Sequence, residues 1–359
     1  MAQRDYSESL VEAVRAAADT GSPLRLVGGG SKDFYGRAPA PMPDHDVVDI
    51  SRHRGIVNHE PTELILTARA GTRLRAIEAA LHREGQMMPF EPPHFSGRAT
   101  LGGAIAAGLS GPRRPWGGSA RDFVLGVRLI NGRGEHMRFG GEVMKNVAGY
   151  DVSRLVTGSL GMLGIITEVS LKVLPAPAAE ATRVLDLPAE AGFARVEQAH
   201  RDGMPIAAAA HDGHALYVRL AGATRAVDSG IERLGGDALG DGPAFWRALR
   251  DHKLPFFQQA GSPTWRISLP PGTRPPRLPG RRLLDWNGQL VWQRTDADPA
   301  TVFAAAAERG GHATLMQGGD RSGDVFQPLA PAVRRLHERV KAAFDPQGLF
   351  NPGRMYEGL

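Results

Sequence analysis

Glycines are the residues whose placement most plainly implies chemistry in this 359-residue sequence. They form separated clusters: Gly28-Gly29-Gly30-Ser31-Lys32, Gly102-Gly103, Gly117-Gly118-Ser119, and the run from Gly158 to Gly164. Each lies beside an apolar run. Glycine lets a ligand approach the backbone closely, and successive N–H groups in a turn make a concave nest for an anion. Lys32 adds a full positive charge to the first cluster. This is phosphate-binding chemistry. Several clusters touching one ligand imply a long one, an extended dinucleotide, and the spacing alone does not choose its ring.

Proton transfer and carboxylate binding call for imidazoles and guanidiniums. His94 lies between Pro93 and Phe95, His312 follows Gly310-Gly311, and Arg321 is near it in sequence. These three are the candidates for catalysis, with a satisfied structural histidine as the competing reading for each imidazole. His211 and His214 frame the turn His-Asp-Gly-His without an evident third ligand. They read as two exposed turn histidines, and no metal site is expected.

The elements that must position these residues follow from periodicity. Ser7 is expected to cap a helix that buries Leu10, Val11, Val14 and Ala18 and stops at Gly21. Leu24–Val27 reads as a strand running into the first glycine cluster. A Rossmann loop would open a helix at this point, but Pro39, Pro41 and Pro43 follow and a long helix cannot start. The loop itself must therefore hold the phosphates. Val47–Ile50 and Leu64–Ala70 read as strands. Thr72 is expected to cap a helix with Leu74, Ile77 and Leu81 inward. Ala99–Gly108 is a small-residue helix whose first N–H groups are expected to be uncovered. Phe123–Ile130 and His136–Phe139 read as a hairpin turning at Asn131-Gly132. Asp151 caps a short helix, and Ile165–Leu174 alternates as a half-buried strand. Pro175 and Pro177 mark a boundary. Beyond it, strands and helices alternate, with a hairpin around Asn287-Gly288, which predicts an α+β unit with an antiparallel sheet. Val333, Leu336, Val340 and Phe344 share one face of a last helix. The expected divisions are 1–175, 176–328 and 329–359.

Composition narrows the class. The chain is 42% hydrophobic with a net charge of +5, that of a globular protein with a sizeable core. Its basic residues are spread out and not interleaved with aromatics, so no nucleic-acid partner is expected. It has no cysteine, which excludes disulfides, cysteinyl flavin links and a cysteine-held iron–sulfur cluster. Neither a signal peptide nor a membrane span is evident, so the expected location is cytoplasmic, or peripheral on the inner face of the cytoplasmic membrane.

From Leu24 to Pro175 the chain resembles the FAD-binding domain of the vanillyl-alcohol-oxidase (PCMH) type. The matching pieces are Val27 to Lys32, Ala99-Thr100-Leu101-Gly102-Gly103, Ser119 to Gly126, Lys145 to Asp151, and Gly158 to Thr167. Glu91-Pro92-Pro93-His94, Gly111 to Trp116, Arg138 to Asp151 and Phe350 to Tyr356 further resemble the FAD-binding subunits of bacterial glycolate oxidases, over essentially the whole chain. The resemblance implies an α+β fold, a two-part PCMH-type FAD-binding domain with a second α+β domain, to which the last segment returns. It implies FAD bound through Gly28, Gly29, Gly30, Ser31, Lys32, Pro93, Thr100, Leu101, Gly102, Gly103, Gly108, Gly111, Ser119, Arg121, Asp122, Lys145, Asn146, Gly158, Gly164 and Ile165. The first loop and Thr100–Gly103 would hold the pyrophosphate, Ile165 would lie by the adenine, and the Ser119 loop would approach the isoalloxazine.

Many members of the broad family tether FAD through a histidine in the first loop. That loop here has none, so non-covalent FAD is expected. The related catalytic subunit carries a histidine–carboxylate metal cluster, and no such cluster is visible here. The resemblance therefore implies a FAD-bearing subunit that works with a second, catalytic flavoprotein subunit and an iron–sulfur subunit on a small 2-hydroxy acid. A self-sufficient FAD-dependent 2-hydroxy-acid dehydrogenase and a structural subunit without turnover remain open as alternatives.

Overall fold

The structure, a computed structural model, describes residues 4–39, 46–141 and 151–359. Helix α1 (Ser7–Thr20) buries Leu10, Val14 and Ala17 and ends at Gly21 in the left-handed conformation. Its N-cap is Tyr6 rather than Ser7, because the Ser7 N–H is already taken by the Asp5 carboxylate. Strand β1 (Arg25–Val27) pairs in parallel with β2 (Val47–Asp49). Next come β3 (Ile56–Glu60), which was not read from the sequence, and β4 (Ile65–Arg69). Helix α2 (Leu74–Arg83) buries Leu74, Ile77 and Leu81. Thr72 does not cap it; its hydroxyl instead bridges the N–H and C=O of Gly55. After β5 (Gln86–Met87) come α3 (Leu101–Ala107), α4 (Arg114–Gly117), β6 (Val124–Ile130), β7 (His136–Gly140), α5 (Val152–Val156), β8 (Ile165–Lys172) and β9 (Leu174–Pro175). The antiparallel order β3-β4-β8-β6-β7 forms a five-stranded sheet. Helices α2 and α3 share its core, where Leu74, Ile77, Leu101 and Ile105 meet Leu66, Leu129 and Val169. The β6–β7 hairpin turns over five residues rather than two. The Asn131 amide oxygen accepts from the N–H groups of Arg133 and Glu135, and the left-handed residue is Gly134, not Gly132.

The second half builds an eight-stranded sheet from β10 (Ala179–Leu185), β11 (Ile206–His211), β12 (Leu216–Gly222), β13 (Asp237–Ala238), β14 (Thr264–Ser268), β15 (Arg281–Asp285), β16 (Leu290–Arg294) and β17 (His312–Gln317). The order is β13-β10-β12-β11-β15-β16-β14-β17, antiparallel throughout, as expected. Period-two alternation sorts its faces. Leu216, Val218, Leu220, Ile267, Val291, Ala313 and Leu315 point to one side. There they meet α6 (Ala189–Arg201), α7 (Thr224–Leu234) and α10 (Pro299–Ala307). The other face carries Ala208, Ala210, Leu283, Trp292 and Met316, which pack on Tyr35, Ala107 and Leu109 of the first half, with α8 (Gly242–Arg250) and α9 (Pro255–Gln258) closing the side. The register also sets charged residues on this face: Arg266 lies opposite Trp292 and Thr314, and Asp285 opposite Leu290.

Helix α11 (Pro331–Phe344) returns to the first half. Only the end of its apolar face packs there, through Val340 and Phe344. Val333 and Leu336 are 40% and 58% exposed. Lys341 anchors the helix, donating to the carbonyls of Met162 and Phe350 and to the Asp345 carboxylate.

Candidate functional site

A cleft opens where β1 runs into Gly28. Its walls are Gly28 to Asp33 and Tyr35, Thr100, Gly103, Ala106 and Ala107 of α3, Leu160, and Asn351, Pro352 and Arg354. It holds about 1040 Å³ of empty space out to its mouth and continues inward past Gly102, Gly161, Gly164 and Ile166. The N–H groups of Gly29, Gly30, Ser31 and Lys32 find no acceptor among the described residues. Four adjacent free amides on a cleft wall make an anion nest. The Lys32 ammonium is buried and unpaired. Burial lowers its pKa to about 8, with Asp251 and Arg250 acting in opposite senses.

Local sequence explains the shape. A Cβ on Gly29 would stand 1.6 Å from the Arg98 carbonyl oxygen, so only glycine lets the loop lie on the 96–98 segment. A Cβ on Gly102 would meet Ala70 at 2.6 Å, so this glycine brings α3 onto β4. On Gly103 it would meet only the Thr100 hydroxyl, at 3.1 Å, and otherwise point into open cleft. Arg354 braces the loop from outside by donating to the carbonyls of Asp33, Tyr35 and Arg37.

Several expected contacts lie elsewhere. The first amides of α3 are not uncovered: Leu101 N–H donates to Thr72, Gly102 N–H to Ala70, and Gly103 N–H to the Thr100 hydroxyl. The nest is therefore in the preceding loop rather than on the helix end. Leu101 and Ile165 are core residues. Gly108 packs against Gly158, which lies on a separate apolar groove with Leu155 and Leu336. Ser119 and Asp122 are committed to each other, the Ser119 N–H and hydroxyl both donating to the carboxylate, and with Arg121 they do not line the cleft. Pro93 and Gly111 line a different, inner cavity. Lys145 and Asn146 lie outside the described residues. Sequence reasoning missed Arg25, Tyr35, Leu160, Asn351 and Arg354; of these Leu160, inside the Gly158–Gly164 cluster, and the tail, in the Phe350-to-Tyr356 run, carried a signal.

The three catalytic candidates are occupied or exposed. The His94 ring nitrogen Nε2 is 3.0 Å from the Glu78 carboxylate, and the His94 backbone N–H donates to the Asp251 carboxylate. Arg321 donates to the carbonyls of Leu315, Met316 and Gly36, a strap between the two halves. His312 sits at the exposed start of β17. The His211–His214 reading needs correction at His211, which is 5% exposed and fixed by the Leu187 carbonyl and the Gly213 N–H. Among the described residues no three metal-binding side chains converge.

The halves are joined by a buried ion network. Arg219 on β12 grips Glu91 with two contacts of 2.8 Å, and Arg113 bonds both Glu91 and Glu180. Burial alone would raise the Glu91 carboxyl, but Arg219 and Arg113 outweigh it and hold it at about 2.

Comparison with known proteins fits this geometry. Residues 5–140 match the FAD binding domain family. The chain is 46% identical over 355 residues to glycolate oxidase subunit GlcE of Escherichia coli K12, covering 99% of each. It belongs to the GlcE family. Glycolate oxidase subunit GlcD of Bacillus subtilis is 34% identical over 127 residues, 35% of this chain and 27% of that protein. An alkyldihydroxyacetonephosphate synthase structure superposes with a TM-score of 0.65 at 15% identity, covering 98% of this chain and 75% of that one, and so shares the fold. This GlcE-family chain thus carries an FAD-binding domain, and the free amides and buried ammonium of its cleft suit a pyrophosphate.

Proposed function

We propose that the chain is the FAD-carrying subunit of an assembly that oxidises glycolate to glyoxylate, with residues 1–175 as FAD domain, 176–328 as its cap and 329–359 returning to the first. The observation that carries this reading is the row of acceptor-less amides from Gly29 to Lys32 beside the unpaired Lys32 ammonium. These groups would hold the pyrophosphate, with Gly103 and Ala106 allowing close approach and Tyr35 and Leu160 covering apolar surface. Bound FAD supplies a two-electron acceptor. The loop from Gly28 to Asp33 contains neither histidine nor cysteine, so the cofactor is held without a covalent bond.

The assembly partners are a second flavoprotein subunit and an iron–sulfur subunit, since this chain has no cysteine to carry electrons onward through a cluster. An apolar groove between α5 and α11, with Leu155, Val333 and Leu336 exposed beside Arg335 and Arg339, supports docking of such a subunit through an apolar, acidic segment. No helix among the described residues is long and apolar enough to cross a membrane, and any membrane contact is assigned to the partners or to a peripheral association from the cytoplasmic side.

Purification and acid precipitation test the reading. The chain should be yellow and should release intact FAD to the supernatant. Flavin remaining with the pellet would overturn the non-covalent assignment, and a colourless chain that takes up no FAD would overturn the whole. Anaerobic mixing with glycolate then separates bleaching by the chain alone, a self-sufficient dehydrogenase, from bleaching only in the presence of the other subunits.

A further inference from the structure

The cleft and the apolar groove between α5 and α11 are two sides of one wall. The groove holds about 750 Å³ of empty space. Along residues 157–164 the chain turns different groups to the two spaces. Leu160, Gly161 and Gly164 line the cleft and its inward extension, while Gly158, Ser159 and Met162 line the groove. The tail divides in the same way. Asn351, Pro352 and Arg354 face the cleft, and Met355 and Leu359 face the groove. The wall is therefore one chain thick.

Its two segments hold each other. The Asn351 side chain donates to the Leu160 carbonyl at 2.8 Å, and Met162, Tyr356 and Leu359 form a small buried cluster. Lys341 ties α11 to both segments through the carbonyls of Met162 and Phe350. Leu160 and Asn351 hold left-handed backbones, φ 53° and 44°. Neither is glycine, and such a backbone persists only where its surroundings over-determine it. Cleft and groove are both open in this one conformation. An occupant of either therefore stabilises the wall that the other needs, and linkage makes the effect reciprocal.

The chemistry of the groove selects its occupant. Leu155, Val333 and Leu336 are three of the four exposed large apolar side chains among the described residues, and all three lie on the helices that flank the groove. Arg334 is paired with Glu338, but the exposed Arg335 and Arg339 have no acidic partner among the described residues. An apolar floor with a cationic rim fits an apolar segment that carries acids. We infer that the groove is an effector site, in which such a segment of a companion oxidase subunit and FAD in the cleft each tighten the binding of the other. The identities of companion and cofactor rest on the function proposed above, while the shared wall does not.

The test uses the chain loaded with radiolabelled FAD, so that its cofactor is told apart from that of a flavoprotein companion. Purified companion oxidase subunits should slow release of the label into excess unlabelled FAD about fivefold or more. They should also bind the loaded chain more tightly, by about the same factor, than two flavin-free forms. These are the stripped chain and Gly103→Val, the second serving if stripping abolishes the circular-dichroism spectrum of the first. Leu336→Asp should release the label from the isolated chain at the wild-type rate and lose the response to the companions. Companions that do not bind, or that slow release equally from Leu336→Asp, overturn the inference. So does slower release with equal affinity for the loaded and flavin-free forms, which marks a covered cleft mouth only. A chain that takes up no FAD overturns the cofactor reading and this inference with it. A chain that holds FAD and binds its companions with neither affinity altered overturns this inference alone.

Discussion

At the residue scale the glycines divide by what a side chain would strike. Gly29 and Gly102 are pressed against the protein's own backbone, whereas Gly103 opens to the cleft. Gly103→Val should therefore leave the chain folded, by circular dichroism, while FAD absorbance at purification falls to background. Retained flavin would remove α3 from the cofactor contact. Lys32 gives a pH signature. Without a bound anion its pKa is lowered to about 8, so it is charged below that pH and increasingly neutral above it. Binding an anion requires the charged form, so FAD affinity should fall as pH rises from 7 to 9. Lys32→Met should bind about tenfold more weakly at pH 7 and lose that slope, as expected for removal of one charge-assisted contact. A fluorescence titration across the range measures both. The first glycine cluster and Lys32 were legible in the sequence because backbone exposure and charge are local properties. Tyr35 and Arg25 were not, because their place in the cleft is set by chain segments distant in sequence.

At the element scale, periodicity identified most helices and the antiparallel sheet. It failed where a side chain had a better offer from another segment. Thr72 was read as a cap because it precedes an apolar-periodic run, but its hydroxyl satisfies both backbone groups of Gly55, which lies on a different turn. In α11 four apolar residues share a face, yet only the C-terminal pair reaches the core. The sequence predicts an antiparallel sheet in the second half but not which of its faces meets the first half, so the row containing Arg266 and Asp285 was invisible. The unpacked part of α11 gives a prediction at this scale. Leu336→Asp should leave FAD content and melting temperature of the isolated chain within error and abolish co-elution with the other oxidase subunits on size exclusion. An unaltered complex would exclude the groove as the docking site, and a homodimer lost on substitution would assign it to a second copy instead.

At the scale of the whole molecule, the Glu91 network joins the halves beside their shared apolar packing. Arg219 is 3% exposed, so Glu91→Gln would leave its charge buried without a full counter-charge. Breaking one side of such a pair costs about 3–5 kcal/mol. The variant should melt several degrees lower, and an unchanged melting curve would show that the network contributes nothing. Because the folded Glu91 pKa is depressed to about 2 from its ordinary 4.5, its stabilisation is complete above about 4.5 and is lost as pH falls towards 2. None of this was legible beforehand, since the four charges are far apart in sequence.

The same scale gives meaning to Asn351. Its amide oxygen accepts from the Leu26 N–H, 325 residues away, its nitrogen donates to Leu160, and Phe350 bridges to Leu24. The rim of the cleft is thus completed by a stretch that leaves the ribosome long after the glycine nest. The cleft wall is therefore assembled only when residues 350–354 dock on Leu24 and Leu26. Under the function proposed above, stable loading with FAD would wait for that docking, and the flavin colour of the protein would report it.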